Sequence, residues 1–250
     1  MRALLDSVGT AFSYFSIFPM RGAQRLPAPD AAALAALPLV GAALGGLAGG
    51  AAWLVSRVAP RPLAVATAYA LPIVLSGALH IDGFLDCSDA VFASVSPQRR
   101  LEILKDPAHG TFALAALAIV SAYSIAALTA LPAARFPGVL AYAGALARLA
   151  TVWNARCFPY ARTAARTRAF EARPSLLLLA LQSLVLGVAS FRLSRSTWAL
   201  VPLCCIAARF AAAGLAKRLG GGLVGDAYGF LIVVLESAIV VVLATRRDAS

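Results

Sequence analysis

Long apolar stretches alternate along the chain with short polar, glycine-rich or proline-rich breaks. A membrane-spanning helix needs about 20 mainly apolar residues. Seven windows meet that requirement: 37–56, 63–79, 111–133, 137–154, 175–191, 196–213 and 228–245. The pattern predicts an all-α fold, a polytopic transmembrane helical bundle of about seven spans. We expect residues 1–250 to form one integral membrane domain.

The segment before the first window, residues 1–36, differs from the spans. It carries charged residues, and its apolar stretch over 12–20 is too short to cross a bilayer. We therefore expect an N-terminal interfacial helix. The first window also carries five glycines, and small residues three or four apart let another helix approach closely; they are Gly41, Gly45, Gly46, Gly49 and Gly50.

Composition excludes several other classes of protein. The chain is 61% hydrophobic and 13% charged, with a mean hydropathy of +0.82, whereas soluble domains are about 45–50% apolar and ~25% charged. Disorder needs low hydrophobicity, and four cysteines without regular spacing do not make a disulfide scaffold. The net charge of +11 is interpreted as a membrane-topology feature, so no nucleic-acid partner is expected.

The distribution of Lys and Arg indicates an orientation. With the N-terminus inside, 13 of these residues fall in inside segments and seven in outside ones. Because cytoplasmic loops carry the excess of positive charge, the count favours a cytoplasmic N-terminus and an external C-terminus. Three connections are then cytoplasmic: an Asp-rich loop at 80–110, a basic loop at 155–174 and a Gly-rich loop at 214–228.

The Asp-rich connection holds five of the eleven acidic residues of the chain. Asp82, Asp86 and Asp89 are spaced i, i+4 and i+7, which places them on one face of a helix. Three like charges so close repel, and carboxylate oxygens suit Mg²⁺ or Mn²⁺. The spacing therefore predicts a metal site on Asp82, Asp86 and Asp89, with a solvated acidic helix end as the alternative.

Other polar residues of this connection have two interpretations each. Glu102 and Asp106 repeat the i, i+4 spacing around Lys105, and could complete the metal site, face a phosphate, or form a surface ion pair. His80 and His109 bracket the region. Each could ligate a metal or carry a proton, or could be a structural, hydrogen-bonded histidine.

The remaining cytoplasmic connections offer groups for an anion. Arg162 lies in a run of arginines whose guanidinium groups suit phosphate, although a positive-inside loop explains the charge equally well. Asp226 follows a glycine run whose backbone can approach an anion. Glu236 falls near the middle of the last window and is expected to face the bundle interior. Together these features predict a site for a metal and a phosphorylated substrate, with phosphoryl or alkyl transfer from a diphosphate.

Several motifs resemble one family of membrane enzymes. The runs SGALHIDGFLDCSDAVFAS and RRLEILKDPAHGTFAL are followed by ARLATVWNARCFPYART and RLGGGLVGDAYGF, and preceded by LPLVGAALGGLAG. Their content and order resemble the adenosylcobinamide-GDP ribazoletransferases, also called cobalamin-5'-phosphate synthases, over most of the chain. The departures are Cys87 and Ser88, where the family usually has other small residues, and 107–109, which weakens a role for His109.

The resemblance implies a Mg²⁺-dependent enzyme of the bacterial inner membrane. Such an enzyme joins adenosylcobinamide-GDP to α-ribazole or α-ribazole-5'-phosphate and releases GMP. By the same resemblance, Asp82, Asp86 and Asp89 hold Mg²⁺ against the diphosphate, with Asp226 assisting. An Asp of this group or His80 takes the hydroxyl proton.

The implied phosphate-binding residues lie on the same predicted side of the membrane. Lys105, Asp106 and Arg162 are the candidates for contacts with the substrate phosphates. The expected partners are these small molecules and membrane lipid, and self-association into a homo-oligomer is left open.

Three other functions share part of the pattern. Membrane prenyltransferases use a DxxxD spacing like that of Asp82 and Asp86, but they usually carry two Asp-rich motifs. CDP-alcohol phosphotransferases have Ala-Arg after the first Asp-Gly, where this chain has Phe84 and Leu85. A transporter would use Glu236 and the cytoplasmic acids as an ion path, and would be expected to show inverted repeats, of which the sequence gives no convincing sign.

Overall fold

The computed structural model describes residues 2–19, 29–161, 173–193, 197 and 199–246. Secondary structure in these residues is helical, apart from one isolated bridge between Tyr160 and Leu223. The helices are α1 (Arg2–Phe15), α2 (Ala31–Ala35), α3 (Leu37–Val58), α4 (Arg61–Leu75), α5 (Leu79–Phe92), α6 (Pro97–Ile103), α7 (Thr111–Ala130), α8 (Phe136–Cys157), α9 (Leu176–Leu193), α10 (Leu200–Arg218) and α11 (Gly225–Thr245).

The predicted all-α membrane bundle is confirmed, but the count of seven spans is not. Among the described residues, five helices are long and apolar enough to cross a bilayer: α3, α7, α8 with the short 3₁₀ turn before it, α10 and α11. A sixth span results if α4 and α5 are counted together. The window at 175–191 corresponds to α9, whose apolar part, Leu176–Phe191, is shorter.

The window at 63–79 is not one straight helix. Instead, α4 ends at Leu75, and α5 begins at Leu79 at an angle of 88° to it. The bend contains Gly77 and Ala78, which have φ values of 62° and 59°. A positive φ is unusual for a residue with a Cβ atom, so Ala78 pays a local cost. The bend turns the chain so that α5 lies against α11 instead of continuing the span.

Helix α8 is the centre of the bundle, and its closest partner is α3. A Cβ atom added to Gly41, Gly45 or Gly49 would collide with backbone carbonyl groups of α8. The predicted role in close helix packing is therefore confirmed for these three glycines. It is not confirmed for Gly46, where a Cβ atom would make only ordinary contact at 3.7 Å with the side chain of Ala141, or for Gly50, where nothing lies within 4 Å. Inside a bilayer the hydrophobic effect does not drive helices together, so van der Waals contact at this close approach stabilises the pairing of α3 with α8.

Two predicted loops are largely helical. The Asp-rich segment 80–110 contains nearly all of α5 and the whole of α6, so its three central aspartates lie on a helix. The Gly-rich segment 214–228 shrinks to 219–224, because α10 continues to Arg218 and α11 begins at Gly225. Of the basic segment 155–174, residues 162–172 lie outside the described residues. At the N-terminus, α1 covers only the first part of the predicted interfacial segment and ends at Phe15.

Candidate active site

A cavity of about 360 Å³ lies where α5 and the first turn of α11 meet α1, α2, α3 and α8. Its volume falls in the range of about 300–1,000 Å³ that is usual for small-molecule sites. Asp82, Asp226 and His80 line it. The cavity therefore brings together acidic residues that are 144 positions apart in the sequence.

Two glycines bring α5 and α11 into contact at this cavity. A Cβ atom on Gly83 would lie 3.0 Å from Cα of Asp226, and one on Gly229 would lie 2.9 Å from the carbonyl oxygen of His80. Larger residues at either position would push the helices apart. The close crossing thus places Asp226, in the first turn of α11, beside the part of α5 that carries Asp82.

The carboxylates at this crossing are near enough to interact electrostatically. Asp86 is half-buried and feels the negative charges of Asp82, Asp226 and Asp89. Nδ1 of His109 lies 3.4 Å from Oδ1 of Asp86, so a protonated His109 would offset part of that repulsion. Neighbouring like charges repel, and a bound cation would relieve that repulsion.

Asp89 has a structural partner. Its carboxylate accepts hydrogen bonds from the backbone N–H groups of Gly110 and Ala113, at 2.5 and 2.9 Å. These groups are at the start of α7, where helical N–H groups lack intrahelical acceptors and a negative charge is favourable. Asp89 therefore anchors α7 to α5, and its predicted role as a metal ligand stays a prediction.

His80 separates two cavities. The residue is buried, and its ring is stacked 6.4 Å from that of Phe15 on α1. On one side it lines the 360 Å³ cavity, and on the other it lines a cavity of about 90 Å³ deeper in the bundle. The predicted role of His80 as a proton acceptor stays a prediction.

The deeper cavity contains the charged pair Arg148 and Glu236. Arg148 on α8 is only 4% exposed, and its Nη1 donates hydrogen bonds to Oε1 of Glu236 on α11 and to the carbonyl oxygen of Gly144. Glu236 thus faces the interior, as the sequence predicts. Neither residue lines the 360 Å³ cavity, so the pair connects two helices that each contribute to it.

The other predicted residues are placed elsewhere. Glu102 forms an exposed ion pair with Arg99 at 2.7 Å, which confirms the surface-pair alternative. Asp106 accepts a hydrogen bond from the backbone N–H of Ala108, and both Asp106 and Lys105 lie in an exposed turn that does not line the cavity. Arg162 lies outside the described residues. The assigned substrate-binding roles of Lys105, Asp106 and Arg162 remain predictions.

Sequence reasoning did not place several residues of this site. The hydroxyl oxygen of Tyr160 accepts a hydrogen bond of 3.2 Å from the backbone N–H of Gly225, next to Asp226. Backbone hydrogen bonds join Pro159 and Ala161 to Leu223, at 2.9 and 2.8 Å. The basic and Gly-rich connections therefore meet at the cavity. The aromatic residues at the end of α1 also reach it, which no local pattern in the sequence indicates.

The donor set fits a metal that the substrate helps to bind. Among the described residues, no group of three or more His, Cys, Asp or Glu is positioned to hold a metal ion by itself. Mg²⁺ does not need such a group, because it usually keeps several waters and binds one or two carboxylates together with substrate phosphates. Asp82 and Asp226, from facing helices, are the suitable carboxylates that line the cavity, and Asp86 lies one turn from Asp82.

The fold and this site define a polytopic helical membrane protein in which carboxylates of α5 and α11 line one cavity. The chain belongs to the cobalamin-5-phosphate synthase family, whose model matches residues 7–244. It is therefore a transferase of cobalamin biosynthesis.

Curated relatives agree with this assignment. The adenosylcobinamide-GDP ribazoletransferase of Deinococcus radiodurans is 35% identical over 232 residues, covering 90% of this chain and 81% of the relative. The protein of the same name from Pseudomonas paraeruginosa is 36% identical over 252 residues, covering 98% of this chain and 100% of the relative. No solved structure matches the chain.

Proposed function

We propose that this protein is an adenosylcobinamide-GDP ribazoletransferase. It joins adenosylcobinamide-GDP to α-ribazole or α-ribazole-5'-phosphate, giving adenosylcobalamin or its 5'-phosphate and GMP. Membership of the family and the name shared by its relatives support the reaction. The observation from the structure that carries the proposal is the meeting of Asp82 and Asp226 at one cavity, with Asp86 beside them.

The metal is the first part of the proposal. Asp82 and Asp226, with Asp86 one turn along α5, would hold Mg²⁺ together with the diphosphate of the substrate. Asp89 remains a candidate ligand through the oxygen lone pairs that its two backbone hydrogen bonds leave. When bound, the metal would neutralise charge on the diphosphate and on the leaving phosphate.

The second part concerns the groups that move the proton. A ribose hydroxyl of the nucleoside attacks the cobinamide-side phosphorus, an O–P bond forms, and the bond between that phosphorus and the oxygen of GMP breaks. The hydroxyl proton must leave to a base near the attacking oxygen. His80 and Asp82 both line the cavity, and one of these two residues would accept the proton. Lys105, Asp106 and Arg162 are the proposed contacts to the phosphates beyond the cavity.

The third part concerns location. We propose that the chain lies in the bacterial inner membrane, in contact with lipid. Large apolar side chains are exposed along α7 and α9, including Ile119 and Leu184, as expected for lipid-facing helices. The excess of Lys and Arg supports a cytoplasmic position for the carboxylate end.

A reconstituted enzyme assay tests the function. The purified protein in lipid nanodiscs is supplied with adenosylcobinamide-GDP and α-ribazole-5'-phosphate, with and without Mg²⁺, and both GMP and the corrinoid product are quantified. We expect equal, metal-dependent formation of both products. Absence of product from folded, lipid-bound enzyme would refute the proposal, and prenyl diphosphate and CDP-alcohol donors would then be supplied.

Two carboxylate variants localise the chemistry. Asp82→Asn removes one charge from the cavity and should abolish turnover while the protein stays folded. Glu102→Gln removes a charge of the same sign from the exposed surface pair, and should retain wild-type activity. Full activity in Asp82→Asn would contradict the metal assignment.

A further inference from the structure

The walls of the 360 Å³ cavity differ in chemistry according to the helices that form them. Helix α11 contributes Asp226 and Tyr228, and α5 contributes Asp82. Tyr160, which forms a backbone bridge with Leu223 just before α11, also lines this part of the cavity. By contrast, α1, α2 and α3 contribute Tyr14, Phe15, Leu34 and Leu37. One part of the cavity therefore suits charged and hydroxyl groups, and the other suits a flat apolar group.

The aromatic residues of α1 form a cluster within this apolar wall. The rings of Tyr14 and Phe15 are 4.9 Å apart and meet edge to face, and Phe15 is stacked on His80. Phe15 is buried, whereas Tyr14 is 37% exposed. The ring of Tyr14 is thus available to a ligand, and aromatic rings bind planar groups through both area and geometry.

We propose that this wall, formed by Tyr14, Phe15, Leu34 and Leu37, binds the benzimidazole base of the nucleoside substrate. The inference rests on the proposed function, and it names the part of the site that selects one substrate. With the base against α1, the ribose hydroxyls extend towards Asp82 and Asp226. The attacking hydroxyl is then on the side of the cavity where the diphosphate is expected.

The alternative planar group, the guanine of adenosylcobinamide-GDP, suits this wall less well. Guanine carries N–H and C=O groups along its edges, and burial of such groups without partners is costly. Among the described residues that α1, α2 and α3 contribute, the Tyr14 hydroxyl is the single polar side-chain group lining the cavity. Benzimidazole has an apolar edge and needs few partners, so the wall matches it.

Steady-state kinetics of variants in nanodiscs test this subsite. Loss of an aromatic stack weakens the binding of a base by about fivefold or more, so Tyr14→Ala should raise the KM for α-ribazole-5'-phosphate by about that factor. The KM for adenosylcobinamide-GDP should change much less. Tyr14→Phe keeps the ring and should recover most of the lost affinity. The matched control is Tyr123→Ala, an exposed tyrosine of α7 outside this cavity, for which neither KM should change.

Free 5,6-dimethylbenzimidazole provides a second measurement. It should inhibit competitively against the nucleoside and not against adenosylcobinamide-GDP, and its inhibition should weaken in Tyr14→Ala but not in Tyr123→Ala. A larger effect of Tyr14→Ala on adenosylcobinamide-GDP would overturn the inference and assign the wall to the other substrate. An unchanged nucleoside KM would overturn it as well.

Failure of the proposed function would give a different result. The wild-type protein would then form no product, and steady-state kinetics would give no information about the subsite. In that case the subsite is tested by direct binding of 5,6-dimethylbenzimidazole, followed by its own fluorescence. Binding that is weakened by Tyr14→Ala supports the subsite without turnover, and absence of binding to the wild-type protein refutes it.

Discussion

The ion pair between Arg148 and Glu236 gives the sharpest stability prediction. Arg148 is 4% exposed and Glu236 is 29% exposed, and both lie in helices that cross the bilayer. Removing one partner of a buried pair costs about 3–5 kcal/mol, because the other charge is left uncompensated. We therefore expect Glu236→Gln to lower the free energy of unfolding by about 3 kcal/mol. This value is the lower end of the range, because the Glu236 side of the pair is only partly buried.

The complementary variants provide the test of coupling. Arg148→Met should also destabilise, but less, because the remaining Glu236 is the more exposed partner. The double variant should be more stable than the sum of the two losses predicts, with a coupling of about 1–3 kcal/mol for residues in direct contact. Thermal unfolding in detergent, followed by the fluorescence of the three tryptophans, measures all three variants.

The expected shifts are large enough to resolve. For a chain of this size, 1 kcal/mol corresponds to about 2–4 °C in Tm, so Glu236→Gln should lower Tm by about 6–12 °C. The matched control is the exposed Arg99–Glu102 pair, for which Glu102→Gln should cost no more than about 1 kcal/mol. Strict additivity of Arg148→Met and Glu236→Gln would refute the argument that the two charges compensate each other.

Three further predictions concern the crossing of α5 with α11, the separate roles of two aspartates on α5, and the metal. Gly229→Ala introduces a Cβ atom 2.9 Å from the carbonyl oxygen of His80, so it should lower the free energy of unfolding by about 1–3 kcal/mol. It should also lower kcat more than tenfold, because small displacements of reacting groups slow catalysis strongly. Kinetics and Tm are measured together, and a fall in Tm without a fall in kcat would contradict this prediction. Asp89→Asn weakens the acceptor for two N–H groups at the start of α7 and should lower Tm. By contrast, Asp82→Asn should abolish turnover with little change in Tm. Equal falls in Tm in thermal scans of the two variants would count against this distinction. Removal of divalent cations with EDTA should stop turnover and added Mg²⁺ should restore it, and activity that persists in EDTA would exclude the metal proposal.

The candidate site could be predicted only in part from the sequence. The helical spacing of Asp82, Asp86 and Asp89 is a local property, and the structure confirms that these residues lie on one helix. Asp89 nevertheless binds the start of α7, because the turn after α6 returns the chain to α5. Whether a carboxylate faces a ligand or a helix end depends on a neighbour that the local pattern does not contain.

By itself, the sequence determines the all-α membrane class and the position of most spans. An apolar stretch of sufficient length must satisfy its backbone hydrogen bonds within itself, so it forms a helix in a bilayer whatever its neighbours are. The same reasoning correctly directs Glu236 inwards, because an ionisable group is costly to expose to lipid. Family membership also follows from motifs that can be read along the chain.

The tertiary structure alone decides the bend and the walls of the cavity. Apolarity continues through 63–79, and only the left-handed backbone at Gly77 and Ala78 shows that the helix ends there. The meeting of α5 with α11, and the approach of Tyr14 to the cavity, join residues that are distant in sequence. Helical periodicity fixes the faces of one helix, whereas the crossing of two helices depends on the shape of both surfaces.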